Sequence, residues 1–168
     1  SVVHMNFALL GLFTQTYLGI EGSILLMLNH GIVSGALFFG IGMIYDRYKT
    51  RNIRYFSNLV SKMPIFAVFF LIFTLANMAF PGTGSFVAEY FVLVGVFKQN
   101  AIVAILGSLG LILGAIFCIW LYNRIFFGVP SPYLLRFQEL ASDLSLKEFI
   151  ILGCLTFFVF LLGIYPII

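Results

Sequence analysis

Apolar runs of about membrane length alternate along the chain with short polar segments, and this spacing predicts an all-α polytopic membrane fold. A first helix is expected over about residues 1–18, closed by Gly19, and a second over about 22–45. The second meets the polar run Asp46-Arg47-Tyr48-Lys49-Thr50-Arg51-Asn52. A helix over about 101–127, ended by Gly128, Pro130 and Pro132, and a last one over about 149–168 complete the uninterrupted elements. Each approaches the ~20 residues that cross ~30 Å of hydrocarbon. Neither an internal repeat nor a low-complexity tract is visible, so residues 1–168 read as a single transmembrane domain of about five helices.

The third element is different. From Lys62 to Lys98 there are 37 residues, about 55 Å if helical throughout, far more than a bilayer requires. Pro81-Gly82-Thr83-Gly84-Ser85 interrupts the run and cannot continue a regular helix. Either two spans or one discontinuous span is implied. With one span, eight of the nine Lys and Arg residues fall on one side, all but Lys98; with two, the split is six to three. The positive-inside rule favours the discontinuous helix, 62–98 broken at 81–85, with the basic loops on the cytoplasmic or matrix side. A broken helix at membrane depth needs a polar cavity or protein partners for its freed backbone groups and commonly lines an ion pathway.

Composition agrees. Of 168 residues 62% are hydrophobic and 9% charged, and the mean hydropathy is +1.12. So few charges cannot cover a soluble domain, which excludes a soluble enzyme, a nucleic-acid binder and a disordered chain. Cys118 and Cys154 sit in apolar runs and read as buried packing residues. The start, Ser1-Val2-Val3-His4, has the features of neither a signal nor a transit peptide and reads as one piece of a longer protein.

Three ionisable residues stand inside the spans: His4, His30 and Glu89. Counted from the basic-poor side at ~1.5 Å per residue, they lie ~21, ~12 and ~14 Å deep, close enough to the midplane to form a lateral row. His4, Ala8, Gly11 and Gln15 share one helical stripe, and Ser23, Met27, His30 and Ser34 another, with Asn29 alongside. Thr74 and Asn77 precede the break; Ser85 and Glu89 follow it. Gly107, Gly110, Gly114 and Cys118 make a small-residue seam suited to close helix packing. Hydrocarbon disfavours a charged carboxylate and a charged imidazolium alike, so a proton passes between such groups with little driving force. The three residues are candidates for a proton relay. The bland alternatives are that Glu89 pairs with a lysine of a neighbouring subunit and that the histidines only satisfy packing hydrogen bonds. A metal site has the right ligand types, but no pair at i, i+4 spacing.

Several runs together are highly specific: Ser1-Val2-Val3-His4-Met5, Ile24-Leu25-Leu26-Met27-Leu28-Asn29-His30-Gly31, and Leu75 through Glu89 with its Pro81-Gly82-Thr83-Gly84-Ser85 core. The loop Tyr45 to Arg51 and Trp120-Leu121-Tyr122-Asn123-Arg124 fit as well. The chain resembles the C-terminal part of the subunit 4 family of respiratory NADH–ubiquinone oxidoreductase, complex I, a family of antiporter-like membrane subunits. The resemblance implies the second half of an inverted-repeat fold and a proton-translocating role coupled to electron transfer. It also implies a polar axis that includes His4, His30 and Glu89. It implies no cofactor or metal in this chain, with NADH, FMN, iron–sulfur clusters and ubiquinone elsewhere in the complex.

The partners implied are other membrane-arm subunits, among them neighbouring antiporter-like ones, and membrane lipid, with no nucleic acid. The family's key lysines lie upstream of the residues present, so a split subunit and a fragment both stay open, and in the first case the partner half supplies the lysines. The mitochondrial inner membrane is the implied location, with a bacterial plasma membrane as alternative. A subunit of a multisubunit sodium/proton antiporter and a purely structural subunit stay open as rival functions.

Overall fold

The computed structural model describes residues 1–129 and 143–166. Among them are six α-helices and no strand: α1 (Val2–Phe13), α2 (Tyr17–Tyr48), α3 (Pro64–Asn77), α4 (Gly84–Gln99), α5 (Ala101–Phe126) and α6 (Leu146–Ile164). Single 3₁₀ turns at Ile53–Tyr55 and Leu59–Ser61 lie in the loop between α2 and α3. Three helices are long and apolar enough to cross a membrane, namely α2, α5 and α6.

Local chemistry moves several helix ends from their expected places. The first helix stops at Phe13, not near Leu18, because Gln15 takes a left-handed φ of 50°. The Thr16 hydroxyl then caps α2 by accepting from the Gly19 amide at 3.1 Å. Gly19 is therefore a packing residue inside α2. At the other end α2 passes through Asp46 and Arg47 and stops where Lys49 adopts φ 53°. The last helix begins at Leu146 rather than near 149, because Ser145 and Glu148 form a capping box. It closes at Ile164, ahead of Pro166, whose ring disfavours helical backbone at Tyr165. Pro130, Pro132 and the expected helix end at Ile168 lie outside the described residues.

The third element is one interrupted crossing. Gly40 of α2 lies beside Phe66 and Phe70 of α3, while Asn29 meets Gly84, Gly22 meets Ala88 and Val92, and Gly19 meets Gly95. Contacts that descend α2 while ascending first α3 and then α4 mean that both run antiparallel to it, end to end. With 14 and 16 residues, neither half spans ~30 Å alone. The interruption falls at residues 78–83, slightly before the expected 81–85, because Ala79 already turns left-handed at φ 54° and Gly82 follows at φ 99°. Gly163 of α6 lies directly against the Gly82 carbonyl, so protein covers part of the freed backbone.

Two clusters make the interior. Toward the basic end, Phe66, Phe70, Tyr122 and Phe126 pack with Val33, Met43 and Tyr48. Toward the other end, Phe7, Leu25, Leu26, Ala88, Val92 and Ala104 pack together. Small residues let α2 and α4 close upon each other at Gly19, Gly22 and Gly95. The seam expected on α5 serves this purpose only at Gly107, which lies close against Phe7 of α1; Gly110 and Gly114 have no atom within 4 Å of where a Cβ would stand. Nor are both cysteines buried; Cys154 is exposed and Cys118 half-buried. In a membrane protein an apolar run faces lipid as readily as it faces a core, so apolar neighbours in sequence do not imply burial.

At the basic end one polar cluster fastens α6 and α3 to α2. Arg47 donates to both carboxylate oxygens of Glu148, at 3.1 and 2.7 Å, and to the Asp143 carbonyl at 3.2 Å. The Asp143 carboxylate in turn accepts from the amides of Ile65 and Phe66 at the start of α3, a cap that Met63, at the N-cap position, cannot provide.

Candidate functional site

His4 stands on α1, His30 on α2 and Glu89 on α4, and the packing that brings these helices together decides their spacing. The Ser23 hydroxyl donates to the carbonyls of Ala8 at 2.8 Å and Gly19 at 2.6 Å, tying α1 to α2. Gly22 lets α4 lie against α2 one turn from Glu89. Gln99 donates to the Thr14 carbonyl and pins the far end of α4 to the α1–α2 turn. Within this frame His4 Nδ1 lies 3.3 Å from Glu89 Oε1. The His4 and His30 rings are 5.5 Å apart, centre to centre, and tilted by 43°. All three residues expected in a lateral row are thus neighbours.

The row is secluded. The His4 and Glu89 side chains are 14% and 7% exposed. Glu89 Oε1 is buried without a hydrogen-bond partner among the described residues, so its approach to His4 is close but not aligned as a hydrogen bond. A cavity of about 400 Å³ opens beside the pair, bordered by Ser1, His4, Asn77, Glu89, Gly114 and Cys118. A second, of about 180 Å³, opens beside His30 and is bordered by Ser1, Ser34, Leu37 and Asn77. Each is large enough for several waters at ~30 Å³ apiece. Asn77 borders both, and its Nδ2 donates to Cys118 Sγ at 3.2 Å.

Other polar residues of the predicted stripes have different places. Thr74 spends its hydroxyl on the Phe70 carbonyl at 2.6 Å. Gln15 lies in the exposed turn and Met27 faces outward, neither of them beside the histidines. Asn29 is fully buried, donates to the Leu25 carbonyl at 3.0 Å and turns its oxygen toward Gly84 at the start of α4. That oxygen faces the positive end of the half-helix carrying Glu89. Its importance was visible in sequence only as an Asn beside His30. Gly114 and Cys118 of α5, expected to pack, instead wall the larger cavity. Among the described residues no group of three His, Cys, Asp or Glu side chains is arranged to hold a metal ion.

A family model described as NADH:quinone oxidoreductase/Mrp antiporter, TM, matches residues 1–116. The chain is 52% identical over 167 residues to NADH-ubiquinone oxidoreductase chain 4 of Marchantia polymorpha, covering 99% of this chain and 33% of that one. It is 50% identical over 166 residues to the protein of the same name from Arabidopsis thaliana, with the same coverage of both chains. It therefore spans about a third of the length of the curated relatives it matches. Among solved structures, a chain of respiratory complex I from Thermus thermophilus with bound NADH superposes with a TM-score of 0.87 at 28% identity, over 97% of this chain and 33% of that one.

Proposed function

The chain belongs to the NADH:quinone oxidoreductase/Mrp antiporter transmembrane family, and we propose that it forms part of a proton-translocating subunit in the membrane arm of an NADH:ubiquinone oxidoreductase. The observation that carries this reading is the secluded row His30–His4–Glu89, held beside two cavities next to a broken helix. In it a proton moves laterally, between the imidazoles of His30 and His4 through water, and from His4 Nδ1 to Glu89 Oε1 across the 3.3 Å contact. The low dielectric around the row makes the position of each charge felt by its neighbour.

Oxidation of NADH and reduction of ubiquinone belong to other subunits, so coupling reaches this chain as a change of charge or packing in a neighbour. Relatives named NADH-ubiquinone oxidoreductase chain 4 support membrane-arm partners and the mitochondrial inner membrane as the location. The family description also covers Mrp antiporters, and a native gel separates the two. Membranes are solubilised gently, the chain is located by mass spectrometry, and the band is stained for NADH dehydrogenase activity. A very large NADH-oxidising band is the expected result. A small band without that activity, together with sodium-driven proton transport, would replace this reading with the antiporter.

A further inference from the structure

At the basic end a third cavity, about 590 Å³ in volume, is bordered by Arg51, Asn52, Ile53, Arg54, Trp120 and Arg124. Three guanidinium groups thus surround one opening, contributed by the α2–α3 loop and the last turn of α5. Nothing in the relay uses them. Among the described residues none of the three has a carboxylate within ion-pairing distance. The paired acids at this end are Glu148, held by Arg47, and Asp143, turned onto the α3 amides. Arg51 lies 4.7 Å over the Tyr45 ring, which steadies it at the surface without neutralising it.

The surroundings indicate what would neutralise them. Trp120 is exposed and stands one turn before Arg124 on α5, and indole rings beside terminal cations of this kind suit the membrane–water boundary. Below it α5 presents an uninterrupted exposed apolar face through Phe117, Ile116, Leu113 and Ile112. A ligand that satisfies the whole site has phosphate at the arginines and hydrocarbon along this face. A guanidinium fork matches phosphate oxygens in two-point contact, and basic pockets beside transmembrane helices on this side suit anionic head groups. We propose that Arg51, Arg54 and Arg124, with Trp120, form a binding site for the phosphate head group of an anionic phospholipid, whose acyl chains lie along α5. An acidic protein segment would match the arginines but not the apolar track beneath them.

The test uses the native membrane assembly containing the chain, exchanged into phosphatidylcholine nanodiscs and exposed to a phosphatidylglycerol probe with a photoactivatable head group. Labelled peptides are mapped by mass spectrometry. Labelling is expected within Arg51–Arg54 and Trp120–Arg124, to fall about fivefold in Arg124→Gln, and to fall much further when Arg51 and Arg54 are also changed to Gln, since each surface cation contributes roughly a fivefold factor. Should the triple variant fail to assemble, the single Arg124→Gln carries the test, with Arg124→Lys expected to retain labelling. Excess inorganic phosphate is expected not to displace the probe. Displacement would assign the site to a soluble anion and overturn the lipid proposal. Equal labelling by a phosphatidylcholine probe, labelling unaffected by Arg124→Gln, or protection by a cross-linked acidic segment of another protein would also overturn it.

Discussion

The close approach of α2 to α4 fixes the geometry of the row, and Gly22→Ala tests it directly. A Cβ at Gly22 would stand 2.8 Å from Phe91 Cβ, 2.8 Å from the Val92 nitrogen and 2.9 Å from the Ala88 carbonyl oxygen. Two of these neighbours are backbone atoms and the third is a Cβ, so no side-chain rotation relieves the clash. Restoring ordinary contact near 3.4 Å requires α4 to retreat by about 0.6 Å. Overpacking of this kind costs ~1–3 kcal/mol. The segment that must move, Ala88 to Val92, carries Glu89, while His4 stays with α2 through Ser23. The 3.3 Å contact between His4 and Glu89 therefore changes with the retreat. In the purified native assembly, Gly22→Ala should lower the thermal midpoint and reduce proton uptake per NADH oxidised. Gly31→Ala, Gly35→Ala and Gly42→Ala lie on the same helix where no atom stands within 4 Å of the added methyl group, and they should change neither. A Gly22→Ala assembly with the stability and pumping of the parent would refute the claim that this contact sets the row.

Replacing Asn77 by Leu puts an apolar side chain between the two cavities it borders. Assembly should be kept while proton uptake falls severalfold, as measured in proteoliposomes; a parental rate would mean that water does not pass there. Glu148→Gln leaves Arg47 without its two-point carboxylate partner. Hydrogen bonds to charged groups contribute ~1.5–3 kcal/mol, so α6 should loosen, which hydrogen exchange of the Ser145–Leu152 backbone would detect as faster exchange.

What was legible in the sequence followed from local rules. Pro81 and Gly82 announce a break whatever surrounds them, and the lopsided distribution of basic residues indicates that the halves form one crossing. Depth counted along each helix puts His4, His30 and Glu89 within several ångströms of the midplane, because helical rise is nearly constant, although α1 ends at Phe13 and not at the Leu18 from which the depth of His4 follows. The capping box Ser145–Glu148 and the Thr16 cap of α2 are local too, yet the expected helix limits of 149 and 22 miss both, because hydrophobic runs mark helix interiors better than helix ends. Gly19 misleads because a glycine between apolar runs signals a helix end and a tight helix contact equally well. Gly114 and Cys118 of α5 mislead for a related reason, since small residues can mark a seam or a cavity wall. Contacts between distant residues leave no periodic trace. Arg47 meets Glu148 across 101 positions, and Asp143 caps α3 from 77 and 78 positions away. Only the folded chain reveals them.

The relay is tested most directly by removing the ionisable group at its most buried point without changing its shape. Glu89→Gln in the full native assembly, reconstituted into proteoliposomes, keeps the volume of the side chain and abolishes its ability to release a proton. Proton uptake driven by NADH is followed with a pH-sensitive dye, beside the rate of NADH oxidation. The expected result is a properly assembled complex in which proton uptake falls about tenfold or more, partly recovered by Glu89→Asp. An assembled Glu89→Gln complex that translocates protons at the parental rate would contradict the account.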